Sequence, residues 1–141
     1  MRIVARLLVL LPLLWVEGVR AVDCPSNNYD LNTQAEVDAL GAVGCDTVTG
    51  NLSVYGSTDI TNLDGLLTLK NVSGTLDINV NDALDNLDGL ANINSIGGSM
   101  YIRYNRALTN IDGVSGVASV GDRLVIAYND ALFNIDGFVS L

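Results

Sequence analysis

The chain has 141 residues, 49% of them hydrophobic, with 16 acidic against 7 basic side chains, no histidine and a formal net charge of -9. Charge of that sign and size is repelled by phosphate, so neither nucleic acid nor an anionic membrane surface is an expected partner. With two cysteines, no CxxC and no histidine, a zinc site or a reactive thiol pair is not expected either, and no cofactor is implied.

Arg2 and Arg6 open the chain, Leu7 to Val16 forms an apolar run, and Val19-Arg20-Ala21 puts small residues at the two positions that a signal peptidase reads. An apolar core of about ten residues falls well short of the roughly 20 needed to span a bilayer. Residues 1–21 are therefore expected to be a cleaved secretory signal peptide. Removing Arg2, Arg6, Arg20 and Glu17 takes the formal charge from -9 to -11.

Residues 22–47 read as an N-terminal cap. Cys24 and Cys45 lie downstream of the leader, in a compartment where two thiols pair. Between them, Asn32 or Thr33 is placed to start a short helix that carries Val37 and Leu40 on one face, with Gly41 as its stop. Such a helix would cover the first repeat unit, whose end is otherwise apolar and edged by unpaired strand groups.

Residues 48–141 repeat every 24 residues, with copies beginning at Val48, Val72, Ile96 and Val120. A period of this length is the signature of a stacked solenoid, here with four rungs. Apolar residues at the fifth and seventh places (Leu52/Val54, Leu76/Ile78, Met100/Ile102, Leu124/Ile126) have the period of two of a strand with one buried face. Four more apolar columns follow, led by Ile60, Leu63, Leu66 and Leu69, giving about six core side chains per rung. Two polar columns accompany them: Asn81, Asn105 and Asn129, with Ser57 in the first copy, and Asn62, Asn86, Asn110 and Asn134. Stacked amides can bond one another and the turn backbone. The Asp-Gly pairs at Asp64, Asp88, Asp112 and Asp136 read as turns whose glycine supplies a positive φ, because one carboxylate per 24 residues does not make a calcium site.

The run Gly74-Thr75-Leu76-Asp77-Ile78, Asn81, Leu84, Leu87-Asp88-Gly89-Leu90, Ile93, Ile96 resembles the receptor L-domain family, as does the cysteine-bounded helix before it. In animals such domains form the ligand-binding lobes of insulin-type and epidermal-growth-factor-type receptors, and related repeats occur in fungal cell-wall proteins held by lipid anchors. The resemblance runs from about Cys24 to Leu141. It implies a right-handed parallel β-helix, close to leucine-rich repeats, with a role in extracellular or cell-surface recognition. No cysteine-rich module, second lobe, kinase or anchor signal is readable in these residues, so receptor signalling is not part of the expectation. The fourth copy stops two residues short, and the chain is expected to be a truncated product or a piece of a longer ectodomain. Membrane attachment would need an anchor outside it.

Where the frame repeats it serves packing, so recognition is expected where it does not. The outward places vary: Ser53, Asp77, Tyr101, Val125 at the sixth; Tyr55, Asn79, Arg103, Ala127 at the eighth; Gly56, Val80, Tyr104, Tyr128 at the ninth. Tyrosine and arginine anchor interfaces because they bring large area and a polar tip at low entropy cost. Tyr55, Asp77, Asn79, Tyr101, Arg103, Tyr104 and Tyr128 are thus the candidate ligand-binding residues, for an extracellular protein or glycan. A structural cell-wall protein without a specific ligand is the alternative. A polysaccharide-active β-helix enzyme is disfavoured, since the carboxylates sit mostly in turns rather than converging in a cleft. Asn51-Leu52-Ser53 and Asn71-Val72-Ser73 are N-glycosylation sequons, with Asn71, at a rung junction, expected to be the more accessible.

Overall fold

The computed structural model describes residues 20–141. The leader read in residues 1–21 lies, but for its last two residues, outside the described residues. The elements are β1 (Tyr29–Leu31), α1 (Gln34–Val43), β2 (Thr47–Val48), β3 (Leu52–Tyr55), β4 (Asn71–Val72), β5 (Leu76–Asn79), β6 (Ser95–Ile96), β7 (Met100–Arg103), β8 (Ser119–Val120) and β9 (Leu124–Ala127). Three 3-10 turns, Asp64–Leu66, Asp88–Leu90 and Asp112–Val114, fall on the Asp-Gly pairs of the first three copies.

All pairing is parallel. One sheet runs β1-β3-β5-β7-β9 and the other β2-β4-β6-β8. Leu52 faces Leu76, which faces Met100, which faces Leu124; Val48 faces Val72, Ile96 faces Val120. Partners within the repeats are therefore equivalent residues of successive copies. A one-residue slip would turn every buried side chain outward, so the apolar pattern itself holds the register.

The core follows the sequence columns. Leu52, Val54, Ile60, Leu63 and Leu66 of the first copy are fully buried, as are Leu76, Ile78, Leu84, Leu87 and Leu90 of the second. Each such side chain contributes about 1.5–3 kcal/mol by leaving water. A further column at the first place of the repeat, Val48, Val72 and Ile96, is also buried. The fourth copy departs from the expected core: Leu124, Ile126 and Leu132 are half-buried, and Ile135 is 64% exposed. A residue in a stacked column is covered by its equivalents on both sides, and these have one such neighbour.

Thr33 caps α1, its hydroxyl accepting from the Glu36 amide at 3.3 Å. The Glu36 carboxylate accepts in turn from the Asn32 and Thr33 amides at 2.7 and 3.0 Å, and the Asn32 bond chiefly holds its carboxyl below the usual range. Val37 and Leu40 are buried as expected. Gly41 is not the stop. The helix continues to Val43 and ends at Gly44, whose φ of 71° places it in the left-handed region. What Gly41 provides is room, since a Cβ there would strike the carbonyl oxygen of Gly65 and lie 2.8 Å from its Cα. Helix α1 packs against the first 3-10 turn, and Gln34 Oε1 accepts from the amides of Thr61 and Asn62 at 3.1 and 3.3 Å. Two copies later the equivalent Thr109 amide bonds the Asp85 carbonyl of the copy before it at 3.0 Å, so the Gln34 side chain supplies to the first copy an acceptor that the third copy takes from its predecessor. Cys24 and Cys45 are bonded, with Cα atoms 5.0 Å apart, which ties the segment before β1 to the end of α1.

The Asp-Gly glycines serve a different purpose from the one expected. Among the described residues positive φ in glycine occurs at Gly44 and Gly56, not at Gly65, Gly89, Gly113 or Gly137. A Cβ on Gly89 would strike the Leu63 carbonyl, on Gly113 the Leu87 carbonyl, on Gly137 the Ile111 carbonyl and on Gly65 the Val37 carbonyl of α1. Glycine recurs there because each turn lies directly on the backbone of the one before it.

Candidate functional site

Along β3, β5, β7 and β9 the fifth and seventh places point into the core, so the sixth and eighth point out by the alternation of a strand. Sheet register then decides which outward residues meet. Asp77 pairs with Tyr101, and Asn79 with Arg103. The Arg103 guanidinium lies 4.5 Å from the centre of the Tyr101 ring, and its Nη2 sits 3.4 Å from both Asp77 carboxylate oxygens. Distances of 3.4 Å are long for a charge-assisted bond, so the pair is loose. Arg103 Nε and Asn79 Oδ1, on facing residues, are buried and have no hydrogen-bond partner.

The ninth place carries a feature that sequence reading missed. Gly56, Val80, Tyr104 and Tyr128 all have positive φ, at 70°, 58°, 55° and 58°. This left-handed residue turns the chain at the end of each long strand, so that the next residue enters the interior. There Asn105 Oδ1 accepts from the Asn81 amide and from Asn81 Nδ2, both at 3.1 Å, and Asn105 Nδ2 donates to the Ile78 carbonyl at 3.0 Å and to Asn129 Oδ1 at 3.2 Å. Asn81 and Asn105 are fully buried. The expected ladder of amides is therefore present in this column. In the second column Asn62, Asn86, Asn110 and Asn134 instead accept from the amide two residues on, at 3.1, 2.9, 3.2 and 3.2 Å, closing the turn that leads into each Asp-Gly pair. Glycine at position 56 was the available signal for the left-handed turn, since it is the residue that adopts such a φ without strain.

Because of that turn, Tyr104 and Tyr128 project beside the strand face and stack on each other, ring centres 4.6 Å apart and planes 7° from parallel. The predicted residues thus form two groups: Asp77, Asn79, Tyr101 and Arg103 on the sheet, and Tyr104 with Tyr128 at its margin. Tyr55 is exposed and faces Asn79 in register. Tyr128 also lines an open concavity of about 310 Å³ with Leu132, Phe133 and Ile135.

The family model for the receptor L domain matches residues 44–138. The chain belongs to the receptor L domain family. No curated protein and no solved structure matches it. A receptor L domain is a solenoid-like repeat fold, consistent with the two parallel sheets and their constant register. The match begins at Gly44, so α1 and the first cysteine of this receptor L domain lie ahead of it. Its two sequons differ in setting. Asn51 is exposed, with Oδ1 accepting from the Thr75 amide at 2.8 Å. Asn71 is half-buried in β4, its carboxamide between Thr47 Oγ1 at 3.5 Å and Ser95 Oγ at 2.7 Å. The strand register therefore makes Asn51, not Asn71, the more open of the two.

Away from the outward face, Asp46 is only 8% exposed and collects three donors: the Val22 amide at 2.8 Å and the Thr47 hydroxyl at 2.9 Å on Oδ1, and Lys70 Nζ at 3.4 Å on Oδ2. Burial alone pushes this carboxyl up, but the Val22, Thr47 and Lys70 contacts outweigh it and hold it below its usual 3.8.

Proposed function

We propose that this receptor L domain is a non-catalytic extracellular recognition module, secreted or displayed at the cell surface, which binds a protein or glycan through the outward face of β3, β5, β7 and β9. The observation that carries this reading is the Asp77–Arg103–Tyr101 cluster. A guanidinium held over an aromatic ring and only loosely paired with a carboxylate is pre-organised, and it keeps donors for a ligand carboxylate or hydroxyl. The stacked Tyr104 and Tyr128 extend the face with apolar area and two phenolic tips. Membership of a ligand-binding family supports a binding role over catalysis.

In this reading residues 1–21 direct secretion, residues 22–47 cap the first of four rungs of a right-handed solenoid, and residues 48–141 form the repeats. The disulfide supports an oxidising compartment. Glycosylation at Asn51 fits the same setting.

The test compares the wild-type chain with the double variant Tyr101→Ala/Arg103→Ala on a glycan array and against proteins of the extracellular surface. Selective retention by the wild type, lost in the variant at an unchanged melting temperature, is the expected outcome. Equal retention by both would refute the assignment of the face, and no selective retention at all would leave a structural surface protein as the better reading.

A further inference from the structure

Val22 is held more firmly than a residue next to a cleaved leader needs to be. Its carbonyl accepts from the Asp46 and Thr47 amides at 2.9 and 3.2 Å, and its own nitrogen donates to Asp46 Oδ1 at 2.8 Å. Asp23 then bridges to Thr47, and the Cys24 amide bonds the Thr47 carbonyl at 2.7 Å, so the chain joins the edge of the β2-β4-β6-β8 sheet from this residue on. Arg20 and Ala21, just before it, are exposed. Among the described residues the anchored stretch thus begins at the Ala21–Val22 bond, where the small residues Val19 and Ala21 place the processing site.

We infer that processing at Ala21–Val22 builds a charged anchor: the new α-ammonium of Val22 docks on the carboxylate of Asp46 and pins the mature N-terminus to the start of the first repeat. The inference rests on the secretory-leader part of the reading above. Hydrolysis adds water across the peptide bond. Ala21 leaves with a carboxylate and Val22 keeps an amine, which takes up a proton at neutral pH. The nitrogen that donated as a neutral amide then donates as a cation from the same place, to the same oxygen. One hydrogen points at Asp46, and the other two face solvent from a residue that is 55% exposed. Charged donors make shorter and stronger bonds to carboxylates than neutral ones.

The charged groups around the new terminus are few. Asp46 faces it directly. Lys70 is a cation, but it binds the opposite carboxylate oxygen and is half exposed, so its repulsion is screened. Asp23, the next residue, adds a second negative charge nearby. Attraction dominates, and the amine should release its proton at higher pH than an unstructured α-amine, whose value is about 7.7–8.0. The sign follows: an amine with a raised folded value contributes stability that is fully present below about 7.7 and is lost as pH rises through the folded value.

The full chain is produced by secretion from eukaryotic cells, its N-terminus is sequenced, and the α-amine is titrated through the pH dependence of its acylation by a small amine-reactive ester. A terminus at Val22 is expected, with an amine that releases its proton at clearly higher pH than an unstructured α-amine and returns to the ordinary range of about 7.7–8.0 in Asp46→Asn. A second variant inserts one alanine after Ala21, which moves the amine one residue away from Asp46 while leaving every native side chain in place. Its amine should titrate normally even if Asp46→Asn folds poorly. A terminus elsewhere would overturn the proposal through the leader reading. A Val22 amine with an ordinary value, or one unchanged by the alanine insertion, would overturn it through the ion pair.

Discussion

Replacing Asn105 by alanine removes the centre of the buried amide column. Its Oδ1 accepts from the Asn81 amide and from Asn81 Nδ2, and its Nδ2 donates to the Ile78 carbonyl and to Asn129 Oδ1. After substitution the Asn81 N–H has no acceptor, one Asn81 side-chain proton is stranded, and the Ile78 carbonyl loses a donor. Asn129 Oδ1 still accepts from the Asn105 amide at 3.0 Å, so the damage falls on the second copy more than on the fourth. Leaving a buried polar group unsatisfied costs about 1–3 kcal/mol, and with two or three such groups the loss is about 3–6 kcal/mol. That is a large part of the 5–15 kcal/mol typical of a domain. The control is Asn62→Ala, in a half-buried turn where one bond to the Asp64 amide is lost, for which about 1 kcal/mol is expected. Equilibrium urea unfolding followed by far-ultraviolet circular dichroism measures both. If Asn105→Ala loses no more than Asn62→Ala, the column is not a structural ladder and the account of its burial is wrong.

Val80→Gly should stabilise the fold by about 0.5–1 kcal/mol, because the left-handed φ of 58° strains a β-branched residue more than glycine's extra chain entropy costs; a midpoint shifted downward would refute this. The same urea series applied to Gly89→Ala should show a loss of about 3 kcal/mol or more, since the added Cβ meets the Leu63 carbonyl of the turn below, and a neutral result would mean that the stacked turns separate easily. Acid should act through Asp46. Its carboxyl lies below 3.8 when folded, so its contribution is complete above about that pH and is lost as pH falls through the folded value. Thermal unfolding at neutral pH should therefore separate wild type from Asp46→Asn, and the gap should narrow as pH falls below 3.8; a gap independent of pH would count against the reading.

Much of the fold is legible in the repeat. The paired apolar places, the Asn columns and a helix start at Asn32 or Thr33 all rest on local patterns of spacing; the sheets put equivalent residues in register, and the structure places the cap at Thr33. The errors are instructive because they concern glycine. Gly41 reads as a helix stop and the Asp-Gly glycines as positive-φ turns, yet both mark places where one backbone lies on another. Sequence shows that a glycine is present, but φ and close approach leave the same mark on it. The candidate face was legible as a set of variable positions, while its division into an Asp77–Arg103–Tyr101 cluster and a Tyr104–Tyr128 stack was not.

The 24-residue period by itself determines a stacked parallel architecture, because the alternation of a strand and the recurrence of its buried residues leave one register that hides every apolar column. The tertiary structure alone decides the left-handed turn at the ninth place, the amide-to-amide bonds of Asn81, Asn105 and Asn129, and the meeting of Val22 with Asp46. The amide-to-amide bonds and the Val22–Asp46 contact join residues 24 positions apart in the chain but neighbours across a strand spacing of about 4.8 Å. A linear reading ranks contacts by separation along the chain, whereas a stacked fold makes its closest contacts one full repeat away.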